Sequence, residues 1–189
     1  DPKQVELAPY DELTNFLSVP VITNTYKAAT VLWNLCRRMD QIYAKIKNAG
    51  CKNIEEFNKK SNIKLQRMVV VIDELADLMI RHKKEVEPSI IRLAQMGRAC
   101  GIHLILSTQR PSREVVTGLI KVNIPAKICF KVTSAVNSRV VLENSGAEKL
   151  LGNGDGLFLD GKSNELLHFQ GSMITTEEIE KVVEAAKEL

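Results

Sequence analysis

Four consecutive β-branched residues stand near the middle of the chain, and two carboxylates follow them directly. The run Val69 to Ile72 reads Val-Val-Val-Ile, and Asp73 and Glu74 come next. A continuous apolar run of this length is typical of a strand buried on both faces. Such a strand brings its acids to the carboxyl edge of an open α/β sheet, where these sheets place their functional groups. A core strand that runs into an acidic helix N-terminus would show the same pattern.

Apolar residues recur elsewhere at the three- and four-residue spacing of amphipathic helices. The clearest stripe runs from Lys27 to about Ala49, and Gly50 is expected to end that helix. Pro88 fits the first turn of a later helix, where its missing N–H costs little. The predicted helices cover residues 11–16, 27–49, 54–60 behind an Asn53 cap, 85–98, 138–144 and a closing segment capped by Thr176. The cations of the long helix are interpreted as its solvated face: Arg37, Arg38, Lys45 and Lys47.

Further apolar runs predict strands that alternate with these helices. They cover residues 19–23, 69–72, 102–107, 126–132, 156–160 and 166–170. The last two are expected to form a hairpin that turns over Gly161 to Asn164, and residues 118–125 belong to a charge-rich loop. Strands separated by helices favour a largely parallel α/β sheet flanked by helices, with an antiparallel hairpin at its carboxyl-terminal end.

Composition narrows the possible classes of protein. A length of 189 residues fits one ordinary domain, and 44% hydrophobic with 26% charged residues is typical of neither a disordered nor a membrane protein. The net charge of +3 permits a nucleic-acid partner without requiring one. No apolar run approaches the roughly 20 residues of a membrane span. The four cysteines are widely spaced, which predicts neither a zinc site nor a disulfide framework.

Several groups of residues form a set that is more specific than any one motif. They are the acidic stretch 73–79, Arg92 to Gln95 with Arg98, Ala99 and Gly101, the polar stretch 108–112, residues 117–125, Ser138 with Arg139, and the glycine-rich stretch 146–155. In this order and spacing they resemble the FtsK/SpoIIIE family of double-stranded DNA translocases. The resemblance covers nearly the whole chain, and it implies a RecA-like P-loop NTPase fold that uses ATP and Mg²⁺.

One feature of that family is missing from this sequence. The GxxxxGK[ST] pattern occurs once, from Gly156 to Ser163, but there it runs through the predicted hairpin and does not join a strand to a helix, so the loop whose backbone N–H groups hold the phosphates is not in the chain. Asp1-Pro2-Lys3 resembles the end of the strand after the P-loop helix, which favours a fragment without the N-terminal P-loop strand and helix. Residues 1–189 would then be the carboxyl-terminal part of a RecA-like motor domain, with a helical region over 1–68. A relative that has no P-loop is the alternative, and in both cases this chain alone is expected to bind ATP weakly or not at all.

The resemblance also implies roles for the residues at the strand ends. Asp73 corresponds to the Mg²⁺-organising acid and Glu74 to the base that activates the attacking water. Thr108 and Gln109 resemble the polar sensor that contacts the nucleotide and takes part in catalysis. Their alternative interpretation is a turn that satisfies buried backbone groups.

Arg98 resembles the arginine finger that one subunit projects into its neighbour's ATP site. A guanidinium suits this role because it is always charged and binds phosphate oxygens at two points. From the sequence alone, Arg98 is interpreted as a solvated cation that interacts favourably with the end of a helix, and only the resemblance favours the arginine finger.

Four further cations resemble those of the two loops that line the family's central pore. These candidate DNA-binding residues are Arg110, Arg113, Lys121 and Arg139. Contacts to phosphates carry affinity without reading sequence, which suits a motor that moves along any DNA. Ala135 and Asn137 depart from the family pattern, which commonly has Lys and Asp there, so any contact made by that Lys is in doubt.

Two functional hypotheses follow. The first is an ATP-driven double-stranded DNA translocase for chromosome segregation or conjugation. It would work as a hexameric ring and, in the full-length protein, be anchored at the bacterial inner membrane with its motor in the cytoplasm. The second is a RecA-like binding or assembly module without ATPase activity, or a protein-secretion ATPase of the same superfamily.

Overall fold

The computed structural model describes residues 1–163 and 165–188. The helices are α1 (Thr25–Asn48), α2 (Ile54–Lys60), α3 (Leu75–Cys100), α4 (Gly118–Asn123), α5 (Ala135–Leu142) and α6 (Thr176–Lys187). The strands are β1 (Met68–Ile72), β2 (Ile102–Leu106), β3 (Lys127–Phe130), β4 (Asp155–Leu159) and β5 (Leu167–Gln170), and 3-10 helices cover Ala8–Glu12 and Ala147–Lys149. The chain divides into two units. The first comprises residues 1–3 and 22–109, and the second comprises residues 4–21 and the chain from Arg110 onward.

The first unit is built from two long helices and a parallel pair of strands. Strands β1 and β2 pair in parallel, with Met68 opposite Ile102. Helices α1 and α3 pack against each other, and α3 also packs against β2. Met39 on α1 and Ile90 and Leu93 on α3 are almost completely buried in this core. The unit therefore holds the carboxyl ends of β1 and β2 side by side.

The prediction that β1 is buried on both faces is wrong for the described residues. Val69 and Val71 are 57% and 44% exposed, whereas Ile72 is buried. On β2, Ile105 lies opposite Val71 and is 54% exposed. Successive side chains of a strand point to opposite faces, and within this unit only one face of the pair is covered. The strand itself was predicted correctly. Its continuous apolar run would suit two covered faces, but within this unit only one face is covered.

Helix α3 begins ten residues earlier than the pattern predicts. It starts at Leu75 and contains a kink at His82, whose φ of −136° and ψ of 37° are not helical. Glu74 caps the helix by accepting a hydrogen bond from the Ala76 backbone N–H. Pro88 therefore lies inside the helix and not in its first turn, so that prediction is wrong. The early start places the Glu74 side chain at a helix N-terminus.

Two helices of the first unit agree closely with the sequence pattern. Helix α1 begins behind an Asn24 cap and is followed by Gly50, which has a φ of +64°. Glycine adopts this left-handed conformation without a steric penalty. Helix α2 has the predicted bounds, and its Asn53 cap accepts a hydrogen bond from the Glu56 backbone N–H at 2.9 Å.

The predictions for residues 11–16 and 19–23 are wrong. Residues 19–23 form no strand, because Pro20 interrupts the run and the Val21 N–H donates to the Asp11 carboxylate at 2.7 Å instead. The short helix is a 3-10 helix at Ala8–Glu12, with a proline in its first turn, and not an α-helix over 11–16.

Side-chain caps shift the helix starts in the rest of this unit. Thr117 caps α4 within the segment that was predicted as a loop. Ser134 caps α5, which starts three residues before the predicted position. Thr175, and not Thr176, caps α6 through a capping box with Glu178.

An antiparallel sheet in the order β3-β4-β5 forms the centre of the second unit. The predicted hairpin is confirmed as β4 and β5, although Asn164 of its predicted turn lies outside the described residues. The core beneath the sheet is apolar and consists of Cys129, Leu142, Ala147, Leu150 and Leu159. With a parallel pair in one unit and this sheet in the other, the predicted α/β class is confirmed.

None of the helices in the described ranges is both long enough and apolar enough to cross a membrane.

Candidate active site

The buried carboxylate of Glu74 lies at the centre of the site. The residue is 2% exposed, and both of its oxygens accept hydrogen bonds. Oε1 accepts from the Thr108 hydroxyl at 2.5 Å and from the Ala76 backbone N–H at 3.2 Å. Oε2 accepts from the Gln109 backbone N–H at 3.2 Å and from Lys3 Nζ at 3.3 Å. Groups from three separate parts of the chain thus converge on one side chain.

Parallel pairing explains why the ends of β1 and β2 meet at Glu74. The Ser107 N–H donates to the Ile72 carbonyl at 2.8 Å, and the Leu75 N–H donates to the Ser107 carbonyl at 2.8 Å. These two bonds continue the backbone ladder beyond both strands. They hold the segment that carries Glu74 beside the segment that carries Thr108, as the sequence predicts for neighbouring strand ends.

The four hydrogen bonds stabilise the ionised form of Glu74. Burial alone would raise the pKa of this carboxyl group, because the charged form loses solvation. The hydrogen bonds from Thr108, Gln109, Ala76 and Lys3 outweigh that effect and hold the pKa below its usual value. Glu74 is therefore a carboxylate at neutral pH, as a general base must be.

Asp73 has different surroundings from its neighbour. It is half-buried and accepts no hydrogen bond from the residues that the structure describes. The amino group of Asp1 donates to the Ile22 carbonyl at 2.9 Å. Burial lowers the pKa of this amino group, and the negative charge of Asp73 opposes that shift. Asp73 is thus near the start of the chain and has an uncommitted carboxylate.

The carboxylates of this site supply only part of what a magnesium ion requires. Within the described ranges, no group of three or more His, Cys, Asp or Glu side chains is placed to hold a metal ion. Mg²⁺ usually takes one or two protein carboxylates and completes its shell with water and substrate phosphates. Asp73 meets that limited requirement.

Arg98 is not brought to these carboxylates within the same chain. It is exposed in the last turn of α3, whereas Glu74 precedes the first turn of the same helix. At 1.5 Å per residue, the 24 positions between the two correspond to roughly 35 Å along the helix. An Arg98 guanidinium that acts on such a site would have to act on that of another subunit.

The four candidate DNA-binding cations all belong to the second unit. Arg110, Arg113 and Arg139 are exposed. Lys121 is half-buried and forms an ion pair with Glu143, with 3.1 Å between Nζ and Oε1. This hydrogen bond, together with the charge of Lys121, lowers the pKa of Glu143.

Lys3 is the residue of this site that the sequence did not reveal. The Asp1-Pro2-Lys3 segment was interpreted only as the end of a strand, without a role for its side chains. The available signal was the position itself, because the resemblance places Lys3 at the end of a third strand, where a cation is expected to meet the acids at the other strand ends.

Comparisons with known sequences agree with the resemblance noted above. The sequence model of the FtsK/SpoIIIE family matches residues 1–64 and 60–113. The chain is 47% identical over 188 residues to the DNA translocase SftA of Bacillus subtilis (strain 168), covering 97% of this chain and 20% of that protein. It is 45% identical over 197 residues to the DNA translocase FtsK of Streptococcus pneumoniae (strain ATCC BAA-255 / R6), covering 99% of this chain and 26% of that protein. The chain therefore spans about a fifth to a quarter of the length of these relatives.

Solved structures give the same fold. The pCW3 conjugation coupling protein TcpA, in its monomer form with ATPγS, superimposes with a TM-score of 0.74 at 34% identity, covering 80% of this chain and 45% of that chain. Thermomonospora curvata EccC (ATPases 2 and 3), in complex with a signal sequence peptide, gives a TM-score of 0.70 at 19% identity, covering 96% of this chain and 34% of that chain. At that identity the second likeness concerns the fold alone. The predicted RecA-like fold is confirmed.

Proposed function

Because the chain belongs to the FtsK/SpoIIIE family, we propose that residues 1–189 form the carboxyl-terminal part of a RecA-like motor domain, with residues 1–68 as a helical region within it. The domain would belong to an ATP-driven double-stranded DNA translocase. The observation that carries the proposal is the buried, ionised Glu74 beside Asp73, with Thr108 and Gln109 at the adjoining strand end. This is the arrangement that hydrolysis by an activated water requires.

Each acid has a distinct role in this proposal. Asp73 would hold Mg²⁺ through its carboxylate, and the chemistry that a bound ion would supply there is neutralisation of phosphate charge. Glu74 orients the attacking water and accepts its proton. Thr108 fixes the orientation of the Glu74 carboxylate through their hydrogen bond and lies where a sensor of the nucleotide is expected. The exposed side chain of Gln109 extends from the same turn.

The phosphate cradle must come from another part of the protein, since the one GxxxxGK[ST] match of this sequence, Gly156 to Ser163, lies on β4 and the turn after it and does not lead into a helix. Within the described residues, β2 pairs only with β1, so its second edge has room for another strand. The exposed face formed by Val69, Val71 and Ile105 is apolar enough to be covered by further structure. Both features support a motor domain that is completed by a P-loop strand and helix.

We also propose that Arg98 acts on the ATP site of a neighbouring subunit. Its distance from Glu74 along α3 supports action between chains, and its exposure leaves it accessible to a partner. Such an arrangement requires an oligomer, and a closed hexameric ring is the form we propose.

Charge reversal at Arg98 tests this role in the intact protein. Arg98→Glu is expected to lower ATP hydrolysis by about a thousandfold, because an arginine finger stabilises charge that develops in the transition state. Mixing Arg98→Glu with Glu74→Gln subunits is expected to restore part of the activity, since each supplies the group that the other lacks. Arg81→Glu, another exposed reversal on α3, is the control. Mixed rings that remain inactive would contradict a role in trans.

DNA contacts are proposed for Arg110, Arg113, Lys121 and Arg139. Because Lys121 is paired with Glu143, DNA would have to displace that carboxylate. Arg113 and Arg139 are exposed, and they offer charge to phosphates more directly.

Alanine at Arg113 or Arg139 is expected to weaken binding of double-stranded DNA similarly for every sequence. Each substitution is expected to reduce the slope of log K against log salt by about one, as the loss of one phosphate contact does. Titrations of labelled duplex at several salt concentrations measure that slope. Arg38→Ala on the solvated face of α1 is the control and is expected to change nothing. An unchanged slope in both variants would remove these residues from the DNA site.

DNA translocation is favoured over protein secretion by the identity of the relatives. The translocases share 45–47% of their residues with this chain, whereas the secretion ATPase EccC shares 19%. Segregation and conjugation both remain within the proposal, because TcpA is a conjugation coupling protein. For the whole protein we propose a cytoplasmic motor anchored at the bacterial inner membrane by a region outside residues 1–189.

A further inference from the structure

The four hydrogen bonds to Glu74 occupy all the acceptor positions of its carboxylate. An ionised carboxylate offers about four lone-pair positions. Thr108 and Ala76 occupy Oε1, whereas Gln109 and Lys3 occupy Oε2. A water molecule that is to give its proton to Glu74 needs one of these positions. The carboxylate as it stands cannot act as a base until one donor leaves.

Lys3 is the donor that can leave most easily. Its bond to Glu74 is the longest of the four, at 3.3 Å. The donors of Gln109 and Ala76 are backbone N–H groups fixed by the strand end and the helix start. The side chain of Lys3 is 39% exposed and has four rotatable bonds, so its ammonium can move into solvent or towards another anion.

The segment that carries Lys3 is held in place independently of this ion pair. The Lys3 backbone N–H donates to the Asp1 carboxylate at 3.0 Å, and the backbone nitrogen of Asp1 donates to the Ile22 carbonyl at 2.9 Å. The ammonium can therefore move without displacement of the backbone. Loss of the ion pair would still leave Glu74 oriented by three donors.

We propose that Lys3 is a positioning residue that keeps Oε2 of Glu74 out of the reaction until its ammonium is released. This inference rests on the proposed role of Glu74 as the base. In the resting state Lys3 fills the position that water needs. The release belongs to the motor engaged on DNA, since ATP hydrolysis without DNA does no work. Release of Lys3 is then a step that must precede hydrolysis.

The test is ATP hydrolysis by the intact protein with and without DNA. Lys3→Met keeps the length of the side chain and removes its charge. It is expected to raise the rate without DNA by about fivefold, as one charge-assisted hydrogen bond is lost. The rate at saturating DNA is expected to stay within about twofold, because the ammonium has already left there. Lys3→Arg, which retains the donor, is expected to keep the DNA-free rate low. Lys84→Met, at an exposed lysine of α3, is the control.

Other outcomes overturn the inference. A DNA-free rate that is unchanged or lower in Lys3→Met would show that Lys3 does not restrain Glu74. A parallel loss of ATP affinity and of both rates, without rescue by arginine, would assign Lys3 to nucleotide binding or to the fold. Lys3→Gln provides a second uncharged variant, and thermal unfolding of each variant checks that it is folded. If Glu74→Gln retains full turnover, the proposed function itself fails. If Glu74→Gln is inactive but Lys3→Met equals wild type, only the role of Lys3 fails.

Discussion

Glutamine in place of Glu74 is expected to lower ATP hydrolysis by the intact protein by about a hundredfold or more, while nucleotide binding persists. The substitution keeps the shape of the side chain and removes the group that accepts a proton. Single-turnover hydrolysis measures the rate of the chemical step, and equilibrium binding of a labelled nucleotide measures the affinity of the site. If turnover survives, Glu74 is not the base.

Glu74→Gln is also expected to lower the stability of the fold, and this effect must be separated from the loss of the proton acceptor. A glutamine amide in place of Oε2 would direct its own donors at the Gln109 N–H and the Lys3 ammonium. Unpaired buried donors cost about 1–3 kcal/mol, so the variant is expected to unfold at a lower temperature. Retained nucleotide binding shows that the loss of turnover comes from chemistry and not from unfolding.

Two control variants complete this experiment. Glu85→Gln changes an exposed glutamate on the same helix and is expected to leave hydrolysis and stability unchanged. Thr108→Val removes one donor to Glu74 and leaves the carboxylate in place. Its loss of turnover is expected to be smaller than that of Glu74→Gln, because the base remains. An equal loss in Thr108→Val would mean that the orientation of the Glu74 carboxylate, and not its ability to accept a proton, limits the reaction.

The strand ends show what the sequence could predict about the site. The run Val69 to Ile72 has only one plausible secondary structure, and the polar residues after it and after β2 mark the edge where both strands end. Parallel pairing then brought Glu74 and Thr108 together as predicted. The contact of Gln109, however, is made by its backbone N–H, which no pattern of side chains can indicate.

Helix α3 and strand β1 show where local patterns were insufficient. The pattern predicts a helix that starts at Glu85, because proline suggests a first turn, but a Glu74 cap and the buried residues Leu75 and Leu78 start it earlier. For β1, the apolar run indicates that both faces of the strand can be covered. It does not indicate whether the covering residues lie within residues 1–189, and here Val69 and Val71 remain exposed.

Lys3 illustrates a contact that depends on tertiary structure. It is separated from Glu74 by 71 positions, and no motif in the chain connects the two. Resemblance to a family supplied the roles of the acids, but the roles of individual residues remain proposals that the variants above test. What the structure adds is a complete set of partners for one carboxylate.

The proposal as a whole is that residues 1–189 carry the carboxylates of an ATP site whose phosphate cradle lies elsewhere in the protein. Asp73 and Glu74 alone offer negative charge to a negatively charged nucleotide. Without a loop of backbone N–H groups to offset that charge, affinity is expected to be very low. A chain extended upstream to include a P-loop strand and helix is expected to bind MgATP in the micromolar range.

Calorimetric titration of MgATP into the folded 189-residue chain tests this claim most directly. Circular dichroism first establishes that the chain has its helices, and the extended chain provides the positive control under the same conditions. We predict no measurable binding up to about 1 mM MgATP, which corresponds to a binding free energy weaker than about −4 kcal/mol. Micromolar binding of MgATP by the 189-residue chain would contradict the claim.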